Sequence, residues 1–321
     1  MGAFGYETVR YRRLFVKITI VGLGGVGGYF GGKIARKYAG SPEHRVVFVA
    51  RGAHLAAIRS DGLLLKTVEG DFRVRPDLVT DNPSEAGRCD LVLFCVKEYD
   101  LKAAAAALVP LLHEKTVVLP VLNGVDIAER LRSILPRGVV LGGCVYISAF
   151  IEAPGIVRQV GGSCQLLFGP DDGQAEMYRP LETLLKEAGI KAELSASIAV
   201  PLWTKYLFVS PMAGVTSLMR LCFGDVMADE KGRGMVRGLM AEIERLASAK
   251  GIALPADSAD RGIATVERFP HATRSSMQLD FEKGRRTELE LFVGYAVRAG
   301  RLFGVPMPLH DELYTALRRK E

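Results

Sequence analysis

Paired cysteines are missing from this chain. The five cysteines, Cys89, Cys95, Cys144, Cys164 and Cys222, form no CxxC, and an odd count in 321 residues argues for reduced thiols in a cytoplasmic protein, not a disulfide framework. The five histidines are scattered and no HExxH occurs, so no protein-bound metal is expected. No apolar run is long enough to span a membrane; residues 206–219 come nearest and include Pro211. The opening stretch "MGAFGYETVRYRRLF" lacks the apolar core of a signal peptide and reads as an N-terminal extension over residues 1–15. There is no internal repeat and no long basic block. The net charge of +6 is a small excess of 42 bases over 36 acids, mixed along the chain. That balance suits an anionic small molecule and gives no support for nucleic acid, which wants a clustered basic face.

What the chain does have is a hydrophobic content of 49%, enough for a sizeable core, and 35 glycines. Up to about residue 195 the text alternates strand and helix. Strand text covers 17–21, 45–49 and the continuous apolar run "DLVLFCVK" at 90–97, with helix text at 26–39, 100–112 and 126–135. This pattern predicts a parallel, doubly wound sheet. Two shorter β-like runs, "GIVRQVG" and "CQLLFG", are expected as antiparallel additions to that sheet, followed by a helix over 174–188. From about residue 196 the text turns helical. Leu289, Phe292, Val293, Ala296 and Val297 form one apolar stripe at helical spacing. The expected organisation is a dinucleotide-binding α/β domain over 16–195 and a helical substrate and dimerisation domain over 196–321.

Seven of the eleven residues from Gly22 to Gly32 are glycine, directly after the first strand. Gly22, Gly24 and Gly27 match G-x-G-x-x-G between a strand and a helix. In such a loop the first glycine permits a tight turn, the second admits a pyrophosphate, and the third allows helix and strand to pack closely. The loop Gly22, Leu23, Gly24, Gly25, Val26 and Gly27 is therefore the candidate cofactor cradle, and the remaining glycines are expected to serve close packing. A plain glycine-rich turn is the alternative. The second strand, "RVVFVAR", ends at Arg51 where an NAD site usually carries a carboxylate. A guanidinium suits a 2′-phosphate, so NADP is favoured over NAD, unless Arg51 is simply a surface residue. Lys97 and Asn123 close two later strands on the ligand-binding edge of such a sheet, where each is either a site residue or a turn cap.

From Leu194 to Met219 the only residue charged at neutral pH is Lys205. An ammonium among Leu202, Phe208, Val209 and Met212 is expensive unless it is paired or reaches a polar cleft. Burial would lower its pKa toward the working range of a general acid. A snorkelling surface lysine fits the sequence equally. Ser275, Ser276 and Glu288 are its candidate partners, although adjacent serines usually cap a helix and most such glutamates face solvent.

Taken in order and spacing, "VGLGGVGG", "CVKEYD", "LNG", "ELSASIAVPLWTKYL", "SSMQLD" and "TELELFVGYAV" resemble the ketopantoate reductase (2-dehydropantoate 2-reductase) family over nearly the whole chain from residue 16. The resemblance implies a Rossmann domain joined to a helical domain, with the active site in the cleft. It implies NADPH-dependent reduction of a 2-oxo acid to a 2-hydroxy acid, ketopantoate to pantoate on the route to pantothenate and coenzyme A. Lys205 would then be the general acid, with Asn123 near nicotinamide and substrate, Lys97 and Arg51 on the cofactor, Ser276 on the substrate, and Glu288 beside the nicotinamide ribose.

The chain departs from the family pattern at three places. Asparagines four, eight and eighteen residues after the lysine are replaced by Val209, Ala213 and Phe223. Loss of hydrogen-bonding groups changes discrimination far more than loss of an apolar contact. This predicts a kept catalytic apparatus with an altered pocket, lined in part by Val209 and Ala213, for a less polar 2-oxo acid or carbonyl compound. A dehydrogenase acting on a quite different alcohol or amine, and a non-catalytic NADP-binding regulator, are the competing readings. The helical faces suit a homodimer.

Overall fold

The computed structural model describes residues 16–171 and 173–321. The expected N-terminal extension lies outside the described residues. In chain order the elements begin with β1 (Val16–Val21), α1 (Gly25–Tyr38), β2 (His44–Val49), α2 (Gly52–Asp61), β3 (Leu63–Lys66), β4 (Phe72–Val74) and β5 (Leu78–Thr80). There follow β6 (Leu91–Phe94), α3 (Leu101–Leu108), β7 (Val117–Pro120), α4 (Ile127–Ile134), β8 (Val139–Val140), β9 (Gly142–Ala153) and β10 (Ile156–Gly169). Next come α5 (Arg179–Glu187), β11 (Lys191–Leu194), α6 (Ala199–Met219), α7 (Phe223–Ala228), α8 (Glu230–Ala249), α9 (Ser258–Glu267), α10 (Ser276–Glu282), α11 (Tyr295–Phe303) and α12 (Pro308–Arg318).

The first sheet is wholly parallel, in the order β5-β2-β1-β6-β7-β8. Its central strands are buried on both faces, as the unbroken apolar runs require: Ile18, Ile20, Val46 to Phe48 and Leu91 to Phe94 are almost fully enclosed. The chain leaves β1 toward β2 and β5, then returns to the other side of β1 as β6 and β7. The strand order thus switches between β1 and β6, and a ligand crevice opens beyond the carboxyl ends of those two strands.

The later β segments correct one expectation. "GIVRQVG" and "CQLLFG" are one long strand, β10, and they do not extend the first sheet. β10 pairs antiparallel with β9 and parallel with β3 and β11 in a second sheet. Irregular pairing around Gly161, with φ +85° at Gly162 and +55° at Cys164, makes the strand read as two.

The two sheets enclose α1, which explains the glycine-rich sequence. A side chain at Gly31 would meet Ile20 and Phe48 of the first sheet, at 3.1 and 3.3 Å. One at Gly25 would run into the Ala149 carbonyl at 2.0 Å, and one at Gly28 into Val157 at 2.6 Å, both in the second sheet. α1 is therefore held close to a layer on each side, and bare backbone makes that possible.

The helical part is organised by α6, which is apolar on nearly every face and buried accordingly. It contacts α8, α9, α10 and α12, and also β9 of the second sheet. The apolar stripe Leu289, Phe292, Val293, Ala296 and Val297 is buried throughout. Residues Glu290–Gly294 widen into a π-turn before α11, and hydroxyls from α6, Tyr206 and Ser210, donate to the Phe292 carbonyl.

Candidate functional site

The glycine loop lies at the switch point. Gly22 has φ +92°, and a Cβ there would press on the backbone of Cys95 and Val96 at 2.9 Å. A Cβ at Gly27 would come within 1.9 Å of the Gly22 carbonyl. Both positions therefore demand glycine for packing. Gly24 differs, because nothing lies within 4 Å of its absent Cβ. Gly24 is also the N-cap of α1, which has no side-chain cap and no acid in its first turn. The N–H groups and positive end of an uncapped helix, beside the open space at Gly24, fit a dinucleotide pyrophosphate. Leu23 is buried beside this loop, and Val26 packs on the core below it.

Lys205 sits in the second turn of α6. Its Nζ donates to Asn123 Oδ1 at 2.8 Å and to the Val145 carbonyl at 2.6 Å, and it lies 5.6 Å from the Tyr146 ring centre. An ammonium has three donors, so two are committed and one remains for an incoming oxygen. Burial lowers the Lys205 pKa; electrostatic interaction with nearby Cys144 and Glu288 pulls partly the other way. Asn123 is placed by the turn after β7, where Gly124 has φ +100° and packs on Leu291. Val209, one turn beyond Lys205, lines the same cleft with Leu202 and Phe292.

Lys97 leaves the end of β6 and pairs with Glu288, Nζ to Oε2, at 2.6 Å, with Asp280 at 3.7 Å. Desolvation pushes the Lys97 pKa down, but the adjacent Glu288 and Asp280 carboxylates outweigh it and the net shift is upward. Glu288 is buried, and its second oxygen faces the Glu98 N–H at 3.5 Å. The charge on Glu288 reaches both lysines, so the edge of the first sheet and the helical region share one electrostatic site.

The remaining candidates sit apart from this pair of contacts. Arg51 is the exposed N-cap of α2 at the end of β2, and among the described residues its ion-pair partner is Asp100 at 4.0 Å. Ser276 is exposed in the first turn of α10, with no hydrogen bond to Lys205 or Asn123 among the described residues. Its neighbour Ser275 is the N-cap, accepting from Gln278 N and bonded to Thr216. Ala213 is buried in the helical core, and Phe223 is buried against Phe269 with ring centres 5.4 Å apart. Sequence reasoning missed three contributors. The Val145 carbonyl carries no sequence signal at all, Tyr146 lies within a strand pattern, and Asp280 lies in the "SSMQLD" run.

The family model for ketopantoate reductase PanE/ApbA matches residues 18–173, and that for the ketopantoate reductase PanE/ApbA C terminal matches 198–321. The chain is 30% identical to the uncharacterized oxidoreductase YkpB of Bacillus subtilis, over 95% of this chain and 99% of that protein. It is 29% identical to a 2-dehydropantoate 2-reductase of Mesorhizobium japonicum, over 95% and 97% of the two chains. A PanE/ApbA family ketopantoate reductase from Ralstonia eutropha superposes with a TM-score of 0.86 at 32% identity, covering 95% of this chain and 98% of that one. D-mandelate dehydrogenase with NADH and anilino(oxo)acetate, at 22% identity, shares the fold, with a TM-score of 0.83 over 95% and 98% of the chains.

Proposed function

The chain belongs to the ketopantoate reductase family, and from that premise we propose that it is an NADPH-dependent reductase converting a 2-oxo acid to the 2-hydroxy acid. The observation that carries the reading is the half-buried Lys205 ammonium, held by Asn123 and the Val145 carbonyl with one N–H free. The glycine loop would hold the pyrophosphate of a nicotinamide dinucleotide, which when bound in its reduced form would supply the hydride. Lys205 directs its remaining N–H at the substrate's 2-oxo oxygen, stabilises the negative charge growing there, and gives up its proton to form the hydroxyl. Asn123 holds the ammonium in line. Its lowered pKa makes proton release easier than from a solvated lysine. Lys97 and Glu288 fix one another beside the cofactor, and Ser276 contributes to holding the substrate. Arg51, exposed at the end of β2 with Asp100 4.0 Å away, is the group that would bind a 2′-phosphate.

The substrate's own side chain meets an apolar wall. Val209 lines the cleft next to Lys205 with Leu202 and Phe292, whereas Ala213 and Phe223 are buried in the helical core. An apolar wall leaves a substrate hydroxyl unpaired, so it does not select for one. The favoured substrate is therefore a 2-oxo acid less polar than ketopantoate. Steady-state rates with NADPH and NADH across a panel of 2-oxo acids test both parts. NADPH dependence with a preference for branched or aromatic substituents supports the reading. A clear preference for ketopantoate overturns the substrate assignment, and no turnover with any 2-oxo acid overturns the activity.

A further inference from the structure

Away from the cleft, three side chains of different chemistry converge on the surface of the helical region. Cys222 is the N-cap of α7, and Asp225 lies three residues on, in the same turn. Their Sγ and Oδ2 atoms are 3.0 Å apart. His271 comes from the connection between α9 and α10, 49 residues from Cys222. Its Nδ1 is 3.6 Å from the sulfur, and its Nε2 is 3.6 Å from the other oxygen of Asp225. All three donor atoms lie within 4.8 Å of one another.

The backbone holds this arrangement independently of the three side chains. Phe223 N donates to the Thr273 carbonyl at 2.8 Å, and Gly224 N to the His271 carbonyl at 2.9 Å. The 270–273 turn is closed by Thr273 N and its hydroxyl, both donating to the Pro270 carbonyl. Gly224 is bare where the imidazole lies, and a Cβ there would come within 2.1 Å of the ring. The ring is thus seated against the first turn of α7 by close approach of backbone.

We propose that Cys222, Asp225 and His271 bind one divalent cation of the zinc type, with a fourth position left to water. Thiolate, imidazole and carboxylate are the donors such an ion takes. With metal–ligand bonds of about 2.0–2.3 Å and tetrahedral angles, sulfur and nitrogen ligands stand about 3.6 Å apart, which is the spacing of Cys222 and His271. The sequence suggested no metal because the ligands come from two segments and form no local motif. Phe223 sits between two of the ligands and packs inward on Phe269, so the ion would pin the turn that backs this apolar contact.

The test is titration of the metal-free full chain with Co²⁺, followed by displacement with Zn²⁺. The expected result is one equivalent bound, with a thiolate-to-cobalt charge-transfer band and tetrahedral visible absorption, both removed by Zn²⁺. Cys222→Ser should abolish the charge-transfer band. His271→Ala should weaken binding by at least about 10-fold. Circular dichroism of both surface variants checks that they are folded. Absence of the band from the wild type, or its persistence in folded Cys222→Ser, overturns the assignment.

Discussion

Lys205 Nζ and Asn123 Oδ1 stand 2.8 Å apart, although 82 residues separate them in the chain. One sits in the second turn of a buried helix, the other in the turn that ends a strand of the first sheet. Their bond is where the helical region meets the sheet's ligand edge, and the Val145 carbonyl at 2.6 Å adds the second sheet to the same point. All three layers of the molecule therefore converge on one ammonium. Any displacement between them moves the proposed proton donor relative to the crevice.

Gly24 and Gly27 separate cofactor binding from folding. Gly24→Ala meets nothing within 4 Å, whereas Gly27→Ala drives a methyl into the Gly22 carbonyl at 1.9 Å. Gly24→Ala should keep its melting temperature within a few degrees and raise the KM for NADPH by roughly 10-fold or more, because the methyl occupies the pyrophosphate's path. Gly27→Ala should lose stability on the order of 1–3 kcal/mol, as overpacking does, measured by denaturant unfolding.

Arg51 should set cofactor choice. It is exposed at the end of β2, and the Asp100 carboxylate lies 4.0 Å from its guanidinium. A charge-assisted hydrogen bond to a 2′-phosphate is worth roughly 1.5–3 kcal/mol, so Arg51→Ala should weaken NADPH binding about 10- to 100-fold. NADH binding should change little. Equal losses for both cofactors would remove Arg51 from the phosphate site.

A buried pair in the helical region sets an acid limit on stability. Glu242 of α8 accepts from the Leu309 and His310 N–H groups at the start of α12, and its Oε2 lies 2.6 Å from His310 Nδ1. Desolvation raises the Glu242 pKa, but these bonds outweigh it and the net shift is downward. A carboxyl with a lowered folded pKa contributes stability above its unfolded value of about 4.3, and that contribution disappears as pH falls through the folded value. Glu242→Gln should cost about 2 kcal/mol at pH 7, and the difference from wild type should shrink toward zero as the pH is taken below about 4. Urea unfolding across that range measures it.

The parallel sheet was legible because buried strands read as unbroken apolar runs between helices, as "LVLF" of β6 does. The second sheet was not. β10 joins β3 and β11 in parallel across long stretches of chain, and its glycine-rich middle resembles a break between two strands. Lys205 stood out as a lone charge in an apolar helix, and Asn123 as the end of a strand. Lys97 and Glu288 were each visible, but their 2.6 Å pairing was not, because it joins residues 191 apart. The Val145 carbonyl was invisible in principle, since every residue has one. The family resemblance, more than physics, singled out Glu288 and Ser276.

The central claim is that Lys205 is the proton donor, and the pH dependence of kcat/KM for NADPH-driven 2-oxo acid reduction, in wild type and Lys205→Ala, tests it most directly. The acid must be protonated to act, so wild-type activity should fall as pH rises through a pKa below the ordinary lysine value of about 10.4. Lys205→Ala should lose about 10²- to 10⁴-fold in rate and the alkaline limb with it, while NADPH affinity stays within about 3-fold. A variant that retains both the rate and the limb would contradict the account.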